Sequence, residues 1–457
     1  MMPWFDLDQF IREKVTRRGR SLLEADFARQ EASLHAQLDG ARVLVIGGAG
    51  SIGSHYIKAL LRFEVAKLVV VDISENGLTE LVRELRSEGT YTIPRDFIAY
   101  PVNFSDRVFV KLFAAHGPFD IVANFAAHKH VRSEKDVFSI EAMIENNVLR
   151  AKSLLDLLAT CPPRHFFCVS TDKAANPVNI MGASKKLMEE LLLAYAERIP
   201  VKTARFANVA FSNGSLPQGW LQRIAKRQPW SCPLGIRRFF VSPIESGELC
   251  LMASVMGESG EILFPKLDPE RDMIPFEQIA HDLLDALGME ACVCRTEAEA
   301  RERMDSSLVR ECIRSLVGED QELEKGLQPA VGGGSRKLEE QCSVTSVQCS
   351  DNELMHSRTN ELLRWPVYFF ESDTSGEKPY EEFHTAGEVL DMEKFVNLGV
   401  VKNAKRRPLS EIEAIFASLQ KLFASADVTK AEVVHALKDY LPNFQHIETG
   451  KGLDQKM

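Results

Sequence analysis

From about residue 40 to residue 206, short apolar runs alternate with longer stretches of helical spacing. Arg42 to Ile46 (RVLVI), Leu68 to Val71, Phe97 to Tyr100, Ile121 to Phe125, His165 to Ser170 and Lys202 to Phe206 read as buried strands. Between them the spacing predicts helices, among them Asp106 to His116, Ile140 to Leu158 and Gly182 to Glu197. Such alternation implies a doubly wound parallel sheet, because parallel neighbours need a crossover and a helix supplies it. The fold class is therefore α/β, with residues 41–210 forming the sheet domain.

The flanks follow other patterns. Residues 1–40 have helical spacing (Phe10, Ile11, Val15, then Leu22, Leu23, Phe27) among many charges. They predict a helical arm, either a solvated lead-in or a docking or oligomer-forming segment. After Asn208 the pattern loosens, and residues 211–290 with 364–405 are expected to form a smaller substrate-binding domain. Residues 291–363 carry charged helix-like sequence (TEAEARERM), then Val331 to Ser335 (VGGGS) and a polar stretch of little periodicity. They read as a partly flexible insertion. The tail, residues 406–457, predicts two helices opened by capping boxes, Ser410 with Glu413 and Thr429 with Glu432. The stripe Ile412, Ile415, Phe416, Leu419 and Phe423 is expected to pack on its own domain, with a dimer contact as the alternative.

The 457 residues are 45% hydrophobic and 26% charged, with a formal net charge of -10. That is a globular composition with room for two or three domains. It has no basic stripe, which argues against nucleic acid or an anionic membrane as main partner. No apolar run approaches the roughly 20 residues that span a bilayer, and the start lacks a signal peptide's apolar core, so the expectation is a cytoplasmic protein. Nine cysteines without a CxxC fit reduced thiols, with no disulfide frame and no metal site.

Candidate chemistry begins where the first strand runs into Gly47-Gly48-Ala49-Gly50-Ser51-Ile52-Gly53 and a helix follows. Glycines permit a tight turn and close approach of a pyrophosphate to backbone N–H groups at the positive helix end. Both GxGxxG (Gly48, Gly50, Gly53) and GxxGxxG (Gly47, Gly50, Gly53) fit this Rossmann-type turn. The second strand ends in Asp72, where a ribose-binding carboxylate belongs, and no arginine follows directly in ISENG. NAD is favoured over NADP, although Arg83 and Arg86 stand in the next helix. Asn103 is a candidate for adenine or for a turn. Ala126 and Ala127 are small enough for a cofactor to lie against their backbone, and His128, Lys129 and His130 are site residues or a polar loop.

A second stretch, Cys168 to Lys185 (CVSTDKAANPVNIMGASK), brings Thr171, Asp172 and Lys173 off a strand's carboxyl edge, where open α/β sheets bind ligands. Met181 and Lys185 then share a helix face.

With GGAGSIG at 47–53, AAHKHV at 126–131, NNVL at 146–149, STDKAANPVNIMGASK at 170–185, RFANV at 205–209 and GEKPYEE at 376–382, the chain resembles the extended short-chain dehydrogenase/reductases. Within them it is most similar to the polysaccharide-biosynthesis UDP-N-acetylglucosamine 4,6-dehydratases. The resemblance implies NAD, held with Lys185 at the nicotinamide ribose, a UDP-sugar substrate, and a homo-oligomer, dimer or higher. It assigns substrate contacts to Lys129, His130, Asn208, Ser215 and Arg238, with Lys378 and Glu381 at the uridine end. In most short-chain dehydrogenases a YxxxK tyrosine takes the alcohol proton. Here Met181, which cannot titrate, occupies that position, so acid and base work shifts to Thr171, Asp172 and Lys173. Three steps are expected: C4 oxidation, loss of the C5 proton and the C6 hydroxyl as water, and return of hydride to C6. Lys173 is expected to be the C5 base, its pKa lowered by the cofactor's charge, Lys185 and desolvation. Asp172 is expected to stay protonated as the acid at O6, and Thr171 to bond O4. The alternatives are a C5- or C4-epimerase of the same substrate and a non-catalytic NAD-binding regulator.

Overall fold

A computed structural model describes residues 5–129, 134, 136–304, 363–371, 381–402 and 404–448. Its centre is a nine-stranded sheet. In chain order the strands that enter it are β1 (Arg42–Ile46), β2 (Lys67–Asp72), β3 (Asp96–Pro101), β4 (Ile121–Asn124), β5 (His165–Val169), β6 (Val201–Ala204), β10 (Ile262–Pro265), β14 (Val389–Asp391) and β15 (Leu398–Lys402). Their spatial order is β14-β15-β10-β6-β5-β4-β1-β2-β3. From β10 to β3 every neighbouring pair is parallel, and β15 and β14 close the β10 edge antiparallel. The order reverses beside β1 and β4, which is where such sheets open a crevice at their carboxyl ends.

The apolar runs are continuous because the sheet is covered on both faces. Val43 and Val45 of β1 join one buried cluster, while Leu44 and Ile46 join another on the opposite face. A third cluster, around Trp220, Trp230 and Trp365, lies in the smaller half. That half has two three-stranded sheets. In one, β9 (Arg237–Val241) runs between β7 (Asn208–Val209) and β11 (Met273–Pro275). In the other, β13 (Leu363–Glu371) runs between β8 (Trp230–Leu234) and β12 (Met289–Cys294). The 364–405 stretch therefore divides, with β13 in the smaller half and β14 and β15 on the edge of the large sheet. The start of the expected insertion is ordered: residues 291–294 belong to β12, and Glu297–Met304 is a helix. The VGGGS stretch lies outside the described residues.

The N-terminal arm docks on its own body. Leu23, Phe27, Leu34 and Leu38 share a core cluster with β1. Buried Asp26 accepts the backbone N–H groups of Val396 and Asn397, at 2.6 and 2.8 Å, and Arg18 grips Glu245 with two bonds of 2.8 Å. The first tail helix spans Leu409–Phe423, and Ile412, Ile415, Phe416 and Leu419 are buried against the body, in one cluster with Leu187 and Leu191. Four such side chains at about 1.5–3 kcal/mol each give the stripe its partner within the chain. Its expected capping box at Ser410 is absent: the helix starts at Leu409 behind Pro408, so Ser410 lies inside the first turn. The second helix, Lys430–Tyr440, has the reciprocal Thr429–Glu432 box.

Candidate active site

At the end of β1, Gly47 has φ +76° and a Cβ there would stand 2.6 Å from the Ala126 nitrogen, so only glycine lets the turn meet the Ala126 strand end. The following Ser51–Leu60 helix has Gly50 at its N-cap and no side-chain cap, which leaves its positive end open. Ser51 Oγ accepts the Asn213 N–H at 2.8 Å, and Ile52 is half-buried. Gly53 approaches the Gly47 carbonyl closely, since a Cβ would come within 2.2 Å of that oxygen. Asp72 lies beside the turn, accepting from Ala49 N at 3.0 Å and Ser74 N at 2.9 Å. These residues fit a dinucleotide: an uncapped helix start, a turn free of side chains and a carboxylate at the neighbouring strand end. Asn103 takes the turn-forming role, its Oδ1 accepting from both the N–H and the hydroxyl of Ser105. Ala126 and Ala127 are half-buried and Lys129 is exposed, while His130 and Lys378 lie outside the described residues.

Beyond β5 the chain turns through a single 3-10 turn, Asp172–Ala174, into a helix, Ile180–Ala194, capped by the Asn179 side chain on Gly182 N at 2.8 Å. The cap starts the helix two residues earlier than the spacing predicts, which brings Met181 into its first turn. Gly182 is needed here, because a Cβ would sit 2.5 Å from the Lys173 carbonyl oxygen. Met181 and Lys185 are both buried on this helix. Lys185 Nζ donates to the Val169 carbonyl at 3.1 Å, and burial pushes its pKa down.

Thr171, Asp172 and Lys173 converge. The Thr171 hydroxyl donates to Asp172 Oδ1 at 2.7 Å, and Lys173 Nζ donates to both Asp172 oxygens, at 3.2 and 3.1 Å. Glu381 joins them from the far end of the sequence, its Oε1 3.8 Å from Lys173 Nζ and 3.7 Å from Arg238 Nε. Asn208 Nδ2 donates to the same oxygen at 2.5 Å, and Phe239 N donates to Oε2 at 3.0 Å. Asn208 and Arg238 thus meet the Asp172–Lys173 cluster through one carboxylate. Ser215 Oγ caps the Leu216–Ala225 helix through Gln218 N.

The lysine differs from expectation. Burial opposes its charge, but Asp172 and Glu381 outweigh burial and Arg238, holding Lys173 above the ordinary lysine pKa rather than below it. Burial first, and then the Asp172 charge, push Glu381 up to about 7 against the pull of Lys173 and Arg238.

Three supports had no distinct signal in the spacing. Asn147, in a π-helical turn at Glu145–Leu149, exchanges bonds with the His128 backbone at 2.8 and 2.9 Å and donates to Ser184 Oγ at 3.0 Å, clamping the loop after β4 onto the Ile180–Ala194 helix. Buried Glu134 accepts Met181 N at 2.7 Å, and burial raises its pKa to about 7. Its other oxygen faces His446 Nε2 at 3.9 Å. The tail also pairs with the loop before the helix, Gln445 N donating to Pro177 O at 3.1 Å and Ile447 N to Val178 O at 3.0 Å.

A family model described as polysaccharide biosynthesis protein matches residues 43–302. A protein of Methanocaldococcus jannaschii named an uncharacterized membrane protein is 34% identical over 253 residues, 54% of this chain and 72% of that one. Among the described residues no helix is long and apolar enough to cross a membrane. A Campylobacter jejuni protein named UDP-N-acetylglucosamine 4,6-dehydratase (inverting) is 28% identical over 278 residues, 59% of this chain and 78% of that one. The X-ray structure of Pen from Bacillus thuringiensis shares the fold with a TM-score of 0.54 at 18% identity, covering 81% of this chain and 91% of that one.

Proposed function

Because the chain belongs to the polysaccharide biosynthesis protein family, we propose that it is an NAD-dependent dehydratase of a nucleotide sugar. The substrate is a UDP-N-acetylhexosamine, foremost UDP-N-acetylglucosamine, and the product its 4-keto-6-deoxy derivative. The observation that carries the reading is the convergence of Thr171, Asp172 and Lys173 against the start of the Ile180–Ala194 helix, where Gly182 meets the Lys173 carbonyl and the position of the usual titrating phenol is taken by buried Met181. The Campylobacter jejuni relative named for this reaction supports it.

The Gly47 to Gly53 turn and Asp72 would hold the pyrophosphate and adenosine ribose, and Lys185 the nicotinamide ribose. When bound, NAD supplies hydride transfer, out of C4 and back to C6. Thr171, bonded to Asp172, passes the O4 proton to that carboxylate as C4 is oxidised. Asp172, ion-paired with Lys173, therefore needs no proton at the outset and becomes the acid that delivers one to the departing O6. Lys173, once it has given up its proton, takes the C5 proton and, as an ammonium whose protons exchange with water, later returns one to C5. The protons balance: O4's leaves in water, and C5 regains one proton for the one it lost. Arg238 is the candidate partner of the substrate diphosphate.

The test is incubation with UDP-N-acetylglucosamine and NAD in heavy water, followed by NMR. A 4-keto-6-deoxy product with deuterium at C5 is expected. Exchange or inversion without loss of water would replace dehydration by epimerisation, and an unchanged sugar would leave an NAD-binding regulator.

A further inference from the structure

We propose that Glu381, assigned by resemblance to the uridine end, is instead a positioning residue that sets the charge of Lys173 and ties it to Arg238. The inference rests on the dehydratase reading for its kinetic consequence, and on geometry alone for the pairing. One carboxylate oxygen, Oε1, faces the Lys173 ammonium at 3.8 Å and the Arg238 guanidinium at 3.7 Å, and it accepts a bond from Asn208 at 2.5 Å. The side chain is buried, fixed on its other oxygen by the Phe239 N–H. A uridine contact would need those oxygens turned outward, whereas both are engaged inward.

The groups that face Glu381 come from separate elements: Asp172 and Lys173 from the turn after β5, Asn208 from β7, and Arg238 from β9. A carboxylate this close to an ammonium favours the charged lysine, and a guanidinium on the same oxygen opposes it. The field at the proposed base therefore depends on an arginine of the substrate half. Asp172 is the lysine's other anionic partner, and burial acts against both charges. Glu381, raised to about 7, itself protonates near neutrality, so its hold on Lys173 loosens as pH falls below that value.

Lys173 keeps 30% of its side chain exposed, so a small acylating reagent is the probe for its amine. Trace acetylation with acetic anhydride across pH 7 to 12, read at Lys173 by mass spectrometry, gives the midpoint of its titration whether or not the protein turns over a sugar. Glu381→Gln is expected to lower that midpoint by about one pH unit, and Glu381→Asp to keep most of it. Arg238→Met is expected to raise it, because removing a cation moves the lysine the other way. A variant that merely loosened the fold would carry Lys173 back to the ordinary lysine value and could not give opposite signs. An unmoved midpoint in Glu381→Gln, or the same direction in both variants, overturns the proposal. If UDP-N-acetylglucosamine is dehydrated, the rising limb of the pH–rate profile should move with the Glu381→Gln midpoint; a fixed limb overturns the kinetic part. Opposite shifts in a protein that leaves the sugar unchanged would uphold the pairing and remove the dehydratase reading instead.

Discussion

Two charge networks flank β6 and borrow from the same stretch of chain, residues 381–388, yet they are built to opposite ends. In the first, Arg205 is fully buried and bonded twice to Glu189, at 2.9 and 2.7 Å, and twice to Glu388, at 2.9 Å each. Its remaining reach goes to the Phe383 carbonyl, and Ser170 donates to Glu189 at 2.6 Å. In the second, Lys173 is partly exposed, its Glu381 contact is long, and Glu381 is shared with Arg238. The planar fork of an arginine closes all its bonds and stays charged at any working pH, whereas an ammonium with loose partners can exchange a proton. Burial raises the cost of an unpaired charge in both places, but only the Arg205 network removes that cost by geometry. The difference teaches which cluster fixes structure and which keeps chemistry available.

The comparison breaks most readily at Asp172. Asp172→Asn should cut dehydration by about 10²–10⁴-fold while the thermal midpoint moves little; a large loss of stability with rate per folded molecule intact would put Asp172 with the structural network. Glu189→Gln should do the reverse, costing about 3–5 kcal/mol in urea unfolding because it leaves a buried guanidinium short of charge. Retained stability there would mean that Arg205 is not a closed structural pair.

Glu134 sharpens the contrast, being buried and bonded to Met181 N, with no ion pair among the described residues closer than the 3.9 Å approach of His446. Its folded pKa, about 7, lies above the ordinary 4.5, so the folded protein holds the proton more tightly. The stability this lends is complete below about pH 4.5 and is lost as pH rises through about 7, roughly 3 kcal/mol in all. Glu134→Gln should flatten that part of the melting profile, and a profile identical to the wild type would refute the assignment. The smallest effect concerns bonds that close locally. Thr429→Ala should cost about 1 kcal/mol, since it opens a reciprocal capping box, and Ser410→Ala less than about 0.5 kcal/mol, since Ser410 caps nothing. Equal losses on denaturant titration would contradict the capping geometry.

What was readable in advance follows the range of the interactions. The strands from β1 to β6 were legible because each is a continuous apolar run in its own right, and the glycine turn because Gly47 and Gly53 have local reasons to lack a side chain. β10, β14 and β15 were not, since each has its place through pairing with strands far away in sequence, as in Ile262 with both Thr203 and Val401. The long helix predicted over Ile140 to Leu158 is broken by the π-helical turn that aims Asn147 inward, and helical spacing does not register one inserted residue. Thr171, Asp172 and Lys173 could be named from one short stretch. That Glu381 stands against them, 208 positions after Lys173, could not, and with it the direction of the lysine's proton affinity was read the wrong way.

The backbone bonds from Gln445 and Ile447 to Pro177 and Val178 impose an order on synthesis. A ribosome that has finished the large sheet through β15 has made every strand among the described residues and every proposed catalytic side chain, yet the segment that fastens the loop before Met181 is still untranslated. The nascent enzyme should therefore acquire its sheet first and its working loop last. Arrested chains of graded length, assayed for protease resistance at residues 177–178, would date that moment.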